Sequence, residues 1–134
     1  MKVPLTAKEE IGDAVASYLS GQPPVLAAYL FGSVVHGQPT IESDIDIAIL
    51  FSRPPETVQR LEMQEDLTAL LGRQADLVCL NHASPILAMQ VLRHGESVFE
   101  RSARAAREFC VRTMFAYFDL KSVRKCVEDA LISD

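Results

Sequence analysis

The sequence predicts an α/β or α+β domain, in which a β-sheet carries helices on at least one face. The main observation is that helical and strand-like segments alternate along the chain in the order α-β-α-β-α-β-α-β-α. The length of 134 residues also fits one domain with a single core. We assign residues 1–101 to the main part of this domain and residues 102–134 to a C-terminal helical extension of it.

The first four elements, of which the third is at most a brief helix, are bounded by recognisable cap and turn signals. A capping box at Thr6–Glu9, followed by apolar residues at helical spacing, predicts the first helix. Val25–Phe31 is a nearly continuous apolar run of strand length. A short segment with glycine and proline follows, and Ser43–Phe51 then alternates as a second strand, with Asp44 and Asp46 on one side and isoleucines on the other.

The second half of the chain predicts five further elements. They are an amphipathic helix at residues 55–71, a third strand at Ala75–Leu80, a helix from Ser84 to His94, a fourth strand at Ser97–Glu100, and a helix from Ser102 onward with a kink or turn around Asp119–Ser122. The apolar face of the first of these helices is expected to consist of Val58, Leu61, Leu67, Leu70 and Leu71.

Composition and charge exclude several classes of protein. The net charge of −5 and the lack of a basic stripe argue against direct nucleic-acid binding. No apolar run approaches the roughly 18 residues of a membrane span, and the start MKVPLTAKEE does not read as a signal peptide. We therefore expect a cytoplasmic protein, with Cys79, Cys110 and Cys126 as buried, reduced side chains outside any zinc-binding spacing.

Two aspartates stand at the start of the most hydrophobic strand. Side chains at i and i+2 of a strand point to the same side, so Asp44 and Asp46 are expected to project together and to repel each other. A divalent cation such as Mg²⁺ relieves that repulsion. Asp76 begins the third apolar strand, and if that strand neighbours the second, three carboxylates converge and could hold two metal ions about 3.5–4 Å apart for phosphoryl transfer.

Gly32 and Ser33 lie where the first strand ends. A glycine there lets the backbone approach a phosphate closely, and the following N–H groups and hydroxyl form a pocket for anionic oxygens. An anion site and a metal site on one short stretch together suggest chemistry on a metal-bound nucleoside triphosphate.

These residues carry a resemblance to a known family. Gly32-Ser33, ten intervening residues and Asp44-Ile-Asp46 are similar to the GS-x10-DxD signature of the DNA polymerase beta-like nucleotidyltransferases. The wider context, YLFGSVVHGQPTIESDIDIAIL with ADLVCL and SPILAMQVLRHGESVFE, resembles the minimal nucleotidyltransferase (MNT) domain, often encoded beside HEPN-domain proteins. The resemblance covers roughly residues 5–100.

The resemblance implies a fold, a site and a reaction. The fold is a mixed sheet of about four strands flanked by helices. Asp44 and Asp46 would bind Mg²⁺, Asp76 would complete a site for two ions and help deprotonate the attacking hydroxyl, and Gly32 and Ser33 would hold the triphosphate. The implied reaction transfers AMP from ATP to a hydroxyl, expected to be that of a tyrosine, on a cognate HEPN ribonuclease toxin, which the chain neutralises as the antitoxin.

Several alternatives stay open at this point. The acceptor could be a small molecule, as in the aminoglycoside nucleotidyltransferases, or the chain could neutralise its toxin by binding alone. Arg60, Arg73 and Arg93 are all candidates to neutralise triphosphate charge. The terminal helix could pack on the core or form a homo- or hetero-oligomeric interface. The sequence decides neither the acceptor residue, the preferred nucleotide nor the oligomeric state.

Overall fold

A computed structural model describes residues 5, 7–32 and 44–132 of the chain. Within these ranges, helices and strands alternate except that two strands follow one another on either side of residues 33–43, and a single 3₁₀ turn lies at Leu80–His82. The elements are α1 (Lys8–Ser20), β1 (Val25–Phe31), β2 (Ile45–Phe51), α2 (Thr57–Leu71), β3 (Ala75–Cys79), α3 (Pro85–His94), β4 (Glu96–Glu100) and α4 (Ala103–Ile132).

The four strands form one mixed sheet in the order β3-β2-β1-β4. β1 is antiparallel to both β2 and β4, whereas β2 and β3 are parallel and are joined by the crossover helix α2. The predicted fold class, a mixed sheet of about four strands flanked by helices, is confirmed.

Helices cover both faces of the sheet. One face packs against α1 and α2, and its core contains Ile11, Val15, Leu19, Leu30, Ile45, Ile47, Ile49, Leu67 and Leu71. The other face packs against α3 and α4, and its core contains Ala27, Tyr29, Ala48, Leu50, Leu80, Ala88, Val91, Ala106 and Phe109. Successive residues of β2 therefore alternate between two buried faces, which explains why the strand is so hydrophobic.

Polar side chains fix the end of the sheet where β2 finishes. Asn81 accepts from the backbone N–H of Phe51 at 2.9 Å and donates to its carbonyl at 2.8 Å, so it continues the hydrogen bonding of the strand. Arg101 donates to the carbonyls of Val25 at 2.9 Å and Leu19 at 3.1 Å. The C-terminus of α1, the start of β1 and the end of β4 are thereby tied together.

Two predicted features at the helix starts are corrected. α1 begins with Ala7 in the N-cap position, and its methyl group cannot cap, so the predicted capping box is wrong; Thr6 lies outside the described residues. In α2 the structure exposes Val58 and Leu61, which the sequence placed on the apolar face. The helix packs on the sheet through a narrower i, i+4, i+8 stripe, Met63, Leu67 and Leu71.

Two predictions about the C-terminal part are also corrected. α4 runs without a break through Asp119–Ser122, because that segment contains neither proline nor glycine and can continue the helical hydrogen bonding. The three cysteines are free, but only Cys79 is buried; Cys110 is partly exposed and Cys126 is exposed. Cys126 lies on the distal half of α4, where the side chains face away from the core of the domain.

Candidate active site

The three acids predicted from the sequence meet at the starts of two neighbouring parallel strands. Asp46 of β2 and Asp76 of β3 are partners in the strand register, and Asp44 directly precedes β2. This confirms the predicted convergence, which depended on β3 lying beside β2. Asp46 shares its side of β2 with Ala48 and Leu50, so the acids lie on the sheet face that α3 and α4 cover.

Burial and mutual repulsion shape the electrostatics of this cluster. Partial burial raises the pKa of the Asp46 carboxyl, and the charges of Asp76 and Asp44 raise it further. Burial also raises the pKa of Asp76, followed by a hydrogen bond with Asp44 and by the charge of Asp44. Both raised pKa values indicate that nearby positive groups of the protein do not neutralise these carboxylates. Such a cluster of uncompensated negative charge favours binding of a cation.

Gly32 brings the end of β1 against the acids. Its φ is 79°, in the left-handed region that glycine adopts without strain, and a Cβ atom added there would collide with Oδ2 of Asp46. The position therefore needs glycine for two independent reasons, its backbone conformation and its contact with a carboxylate. Ser33 and residues 34–43 lie outside the described residues, so the predicted role of Ser33 stays a prediction.

Two side chains of α2 hold β3, and no sequence motif pointed to them. β3 is an edge strand, and its outward N–H groups at Ala75 and Leu77 donate to Thr68 Oγ1 at 3.0 Å and to Gln64 Oε1 at 3.3 Å. These two bonds flank Asp76 on either side. The signal was present as polar residues at i and i+4 of α2, but their targets became visible only once the strand order was known.

The three candidate arginines are in different surroundings. Arg73 is buried, and its Nη1 donates to the carbonyl of Leu5 at 3.1 Å, which ties the N-terminal segment to the start of β3. Arg93 is exposed and stacks on the ring of Tyr117 at 5.9 Å from its centroid. Arg60 is partly exposed on α2. The described contacts give Arg73 and Arg93 structural roles, and none of the three is placed against the acids by a described bond.

The acids supply hard oxygen donors but do not already surround a cation. Among residues 5, 7–32 and 44–132, no three His, Cys, Asp or Glu side chains stand in an arrangement ready to hold a metal ion. The chemistry of the donor set fits Mg²⁺, and binding it would require the carboxylates to turn toward a common point.

No helix in the described part of the chain has the length and hydropathy that crossing a bilayer requires.

Curated relatives carry an enzymatic name. The chain is similar to a protein adenylyltransferase, MntA, of Shewanella oneidensis, with 31% identity over 112 residues that make up 84% of this chain and 80% of that protein. It is also similar to a protein adenylyltransferase MntA of Thermococcus cleftensis, with 39% identity over 64 residues, 48% of this chain and 65% of that protein.

Solved structures extend the similarity to the whole fold. A crystal structure of a toxin–antitoxin pair with AMP-PNP aligns with a TM-score of 0.78 and 29% identity, covering 91% of this chain and 98% of that one. The structure of a tri-AMPylated HEPN toxin of Shewanella oneidensis with its MNT antitoxin aligns with a TM-score of 0.74 and 27% identity, covering 94% and 99%.

The match to a family model includes the acids and the glycine that the geometry brings together. The model described as polymerase beta nucleotidyltransferase spans residues 13–104, from within α1 to the first turn of α4. With Asp44, Asp46 and Asp76 converging beside Gly32 inside that span, this chain belongs to the polymerase beta nucleotidyltransferases.

Proposed function

We propose that this chain is a Mg²⁺-dependent protein adenylyltransferase that moves AMP from ATP to a hydroxyl, most simply of a tyrosine, on a cognate HEPN-domain toxin and thereby neutralises it. The observation that carries the proposal is the register of Asp46 and Asp76 on parallel strands, with Asp44 and Gly32 beside them. The names of the similar proteins, protein adenylyltransferase and antitoxin of a HEPN toxin, supply the acceptor class. ATP and such a partner make the cytoplasm the proposed compartment.

The three carboxylates divide into two roles. Asp44 and Asp46 would hold Mg²⁺, which when bound neutralises triphosphate charge and stabilises the developing charge on the leaving group. Asp76 is the candidate base, because burial and its hydrogen bond with Asp44 raise its pKa and so increase its affinity for a proton. Asp76 would also complete the metal site, in addition to its role as proton acceptor.

The proposed step is an in-line displacement at the α-phosphorus of ATP. Asp76 accepts the proton of the acceptor hydroxyl, the hydroxyl oxygen forms a bond to the α-phosphorus, and the bond to the bridging oxygen of pyrophosphate breaks. The products are an AMP ester on the toxin and pyrophosphate. Gly32 makes room at the end of β1 for the carboxylate of Asp46, because a Cβ atom there would collide with it, and the backbone of Gly32 is proposed to contact the triphosphate beside that carboxylate.

The test uses labelled ATP, Mg²⁺ and the cognate HEPN-domain protein. Wild type is expected to transfer label to that protein, and Asp44→Ala/Asp46→Ala is expected to lose the transfer. Glu62→Ala/Glu65→Ala, which removes two acids from α2 outside the cluster, is the matched control and should keep it.

Two other outcomes would replace the proposal. If the Asp44→Ala/Asp46→Ala variant still neutralises the toxin in cells, binding alone is the function. If label passes to a small-molecule acceptor and not to the HEPN-domain protein, the acceptor class is wrong.

A further inference from the structure

The turn between α2 and β3 is held by two hydrogen bonds to one residue that is distant in sequence. The N–H group of Leu5 donates to the carbonyl of Leu71 at 3.0 Å, and Nη1 of Arg73 donates to the carbonyl of Leu5 at 3.1 Å. Gly72 lies between these two attachment points in the left-handed conformation, with a φ of 70°. The two bonds therefore span the residue of the turn whose backbone is otherwise freest to rotate.

This turn leads directly into the acid cluster. The carbonyl of Gln74 accepts from the N–H group of Ile45 at 2.9 Å, a hydrogen bond that joins the starts of β2 and β3. Ile45 stands between Asp44 and Asp46 in the sequence, and Gln74 stands two residues before Asp76. A displacement of the turn therefore changes the distance between the acids at the start of β2 and the acid at the start of β3.

Arg73 lies on the other side of the sheet from the acids. Leu5, whose carbonyl the guanidinium contacts, packs against the core between the sheet and the helices α1 and α2. Ala75 and Leu77 face the same core, so the residue between them, Asp76, points to the opposite face, where α3 and α4 lie. This placement argues against direct contact between Arg73 and a triphosphate bound at the carboxylates.

The burial of Arg73 calls for a reason other than packing. Its side chain is only 4% exposed, and a guanidinium remains charged at any physiological pH. Burying a charge costs free energy that an apolar side chain of similar length does not cost. What the guanidinium adds here is a directional hydrogen bond, and that bond fixes the turn three residues before Asp76.

We propose that Arg73 is a positioning residue of the active site: its bond to Leu5 fixes the turn before β3 and thereby holds Asp76 opposite Asp46. Arg73 touches neither the nucleotide nor the reacting atoms, and it acts through the backbone of the turn. Two side chains of α2 hold the outer edge of β3, and Leu5 with Arg73 holds its start. The effect on the rate rests on the proposed transfer of AMP, so one of the tests does not involve that transfer.

Steady-state kinetics of AMP transfer to the HEPN-domain acceptor tests the role of Arg73, at a temperature at which every variant is folded. Arg73→Met has a side chain of similar length without a donor. Its kcat should fall about tenfold while KM for ATP changes less than about twofold, because Asp76 is displaced and the contacts with the nucleotide remain. Arg73→Lys keeps a donor and should recover kcat to within about threefold of wild type.

A backbone substitution and a matched control extend the kinetic test. Leu5→Pro removes the N–H group that donates to Leu71 and should lower kcat about fivefold, whereas Leu5→Ala keeps that group and should lower kcat less. Tyr18→Phe is the control. It removes the bond of 2.7 Å from Tyr18 to Asp66, which links α1 to α2 in a groove at the end of the sheet away from the acids. Tyr18→Phe should keep the kcat of wild type.

Amide hydrogen exchange tests the positioning role without any measurement of AMP transfer. The N–H groups of Ile45 and Ala75 donate hydrogen bonds at the starts of β2 and β3. In Arg73→Met both should exchange at least about tenfold faster than in wild type, because the start of β3 opens locally. The N–H group of Ile49, further along β2, should change much less. Tyr18→Phe should leave the ratio of the Ile45 and Ile49 exchange rates as in wild type.

Three results would overturn the positioning role of Arg73. They are an unchanged kcat in Arg73→Met, a raised KM for ATP with unchanged kcat, which would indicate direct contact with the nucleotide, and an equal loss of kcat in Tyr18→Phe, which would indicate a general effect of stability. A wild type that transfers no AMP to the HEPN-domain protein would instead refute the proposed function. The exchange measurement would then decide the positioning role alone, and unchanged exchange at Ile45 in Arg73→Met would refute it.

Discussion

Asp46 faces Asp76 across two parallel strands, and the consequence for stability can be measured. Asp46→Asn removes one of the repelling charges, so at pH 7 without divalent cations the variant should be more stable than wild type by about 0.5 kcal/mol. AMP transfer should fall by about 10²–10³-fold, because a charge needed in the transition state is lost. Urea unfolding and the labelled-ATP assay give the two quantities.

The pH dependence of the stability difference between Asp46→Asn and wild type shows whether the ionised Asp46 carboxylate is responsible for it. Burial raises the pKa of Asp46 in the folded state, so the folded protein binds this proton more tightly than the unfolded chain, whose aspartates titrate near 3.9. The stability of the wild type should therefore fall as the pH rises from about 4 through the raised pKa of Asp46. The stability of Asp46→Asn should fall less over the same range. A stability difference that is constant from pH 4 to 7, or a destabilised variant, would contradict the burial and the carboxylate repulsion that raise the pKa of Asp46.

A second prediction at the scale of one residue concerns Gly32. Gly32→Ala should cost about 1–2 kcal/mol of stability, because of the left-handed conformation, and should lower AMP transfer about 100-fold, since the methyl group displaces Asp46. Gly72→Ala is the control, because Gly72 also has a positive φ, 70°, at the end of α2. It should lose similar stability and much less activity; equal losses of activity would show that strain alone, and not the contact with Asp46, is responsible.

At this scale the sequence predicted the identity of the acids but not their surroundings. Asp44, Asp46 and Gly32 fall within one short motif, so spacing alone was enough to place them together. The collision of a Gly32 side chain with Asp46 depends on the pairing of β1 with β2, and Phe31 is opposite Asp46 only in that register. Exposure of Cys126 depends on where the core ends, which spacing along the helix does not reveal.

Among the elements, α2 and β3 act as a unit that presents Asp76. Thr68→Val and Gln64→Leu each remove an acceptor for an N–H group of the edge strand, so Asp76 loses support on one side. We expect kcat for AMP transfer to fall about tenfold in each, with KM for ATP changed less than about twofold. Steady-state kinetics with the HEPN-domain acceptor separates the two constants.

A conservative variant distinguishes positioning from simple loss of stability. Thr68→Ser keeps the hydroxyl that accepts from Ala75, so it should restore kcat to within about twofold of wild type. If Thr68→Val lowered only the melting temperature and left kcat unchanged, the proposed support of Asp76 would be wrong.

The order and bounds of the helices and strands could be predicted from the sequence, whereas the faces through which they pack were predicted less well. Alternation in β2 and the Ser84 cap of α3 gave bounds close to those observed, because each is a local signal. The buried stripe of α2 was only partly predicted. Leu67 and Leu71 are buried as expected, but Val58 and Leu61 match helical spacing as well as Met63 does and are exposed. Choosing between two overlapping stripes requires the position of the sheet, which is a tertiary property.

For the whole molecule, α4 divides into a part that completes the core and a part that does not. A chain ending at residue 119 lacks the exposed apolar side chains from Leu120 onward, and its free energy of unfolding should lie within about 1 kcal/mol of that of the full-length protein. A chain ending at residue 102 also loses Phe109 from the core and should be destabilised by at least about 3–5 kcal/mol. Chemical denaturation monitored by circular dichroism compares the three chains. A large loss of stability on removing residues 120–134 alone would mean that this part of the chain supports the folded domain.

The strand order also has a consequence for how the chain is made. β1 emerges from the ribosome first and becomes a central strand, but its second neighbour, β4, is synthesised some 65 residues after β1 ends. Until then the nascent sheet has β2 and β3 in place with one edge of β1 open, and an open apolar edge invites pairing with other chains. The acid cluster is complete earlier, once β3 has paired with β2. Nucleotide and Mg²⁺ could therefore bind to those acids while β4 is still missing and the unfinished domain is most prone to aggregate. A ligand that binds the partly folded chain then would stabilise it when it most needs stabilisation.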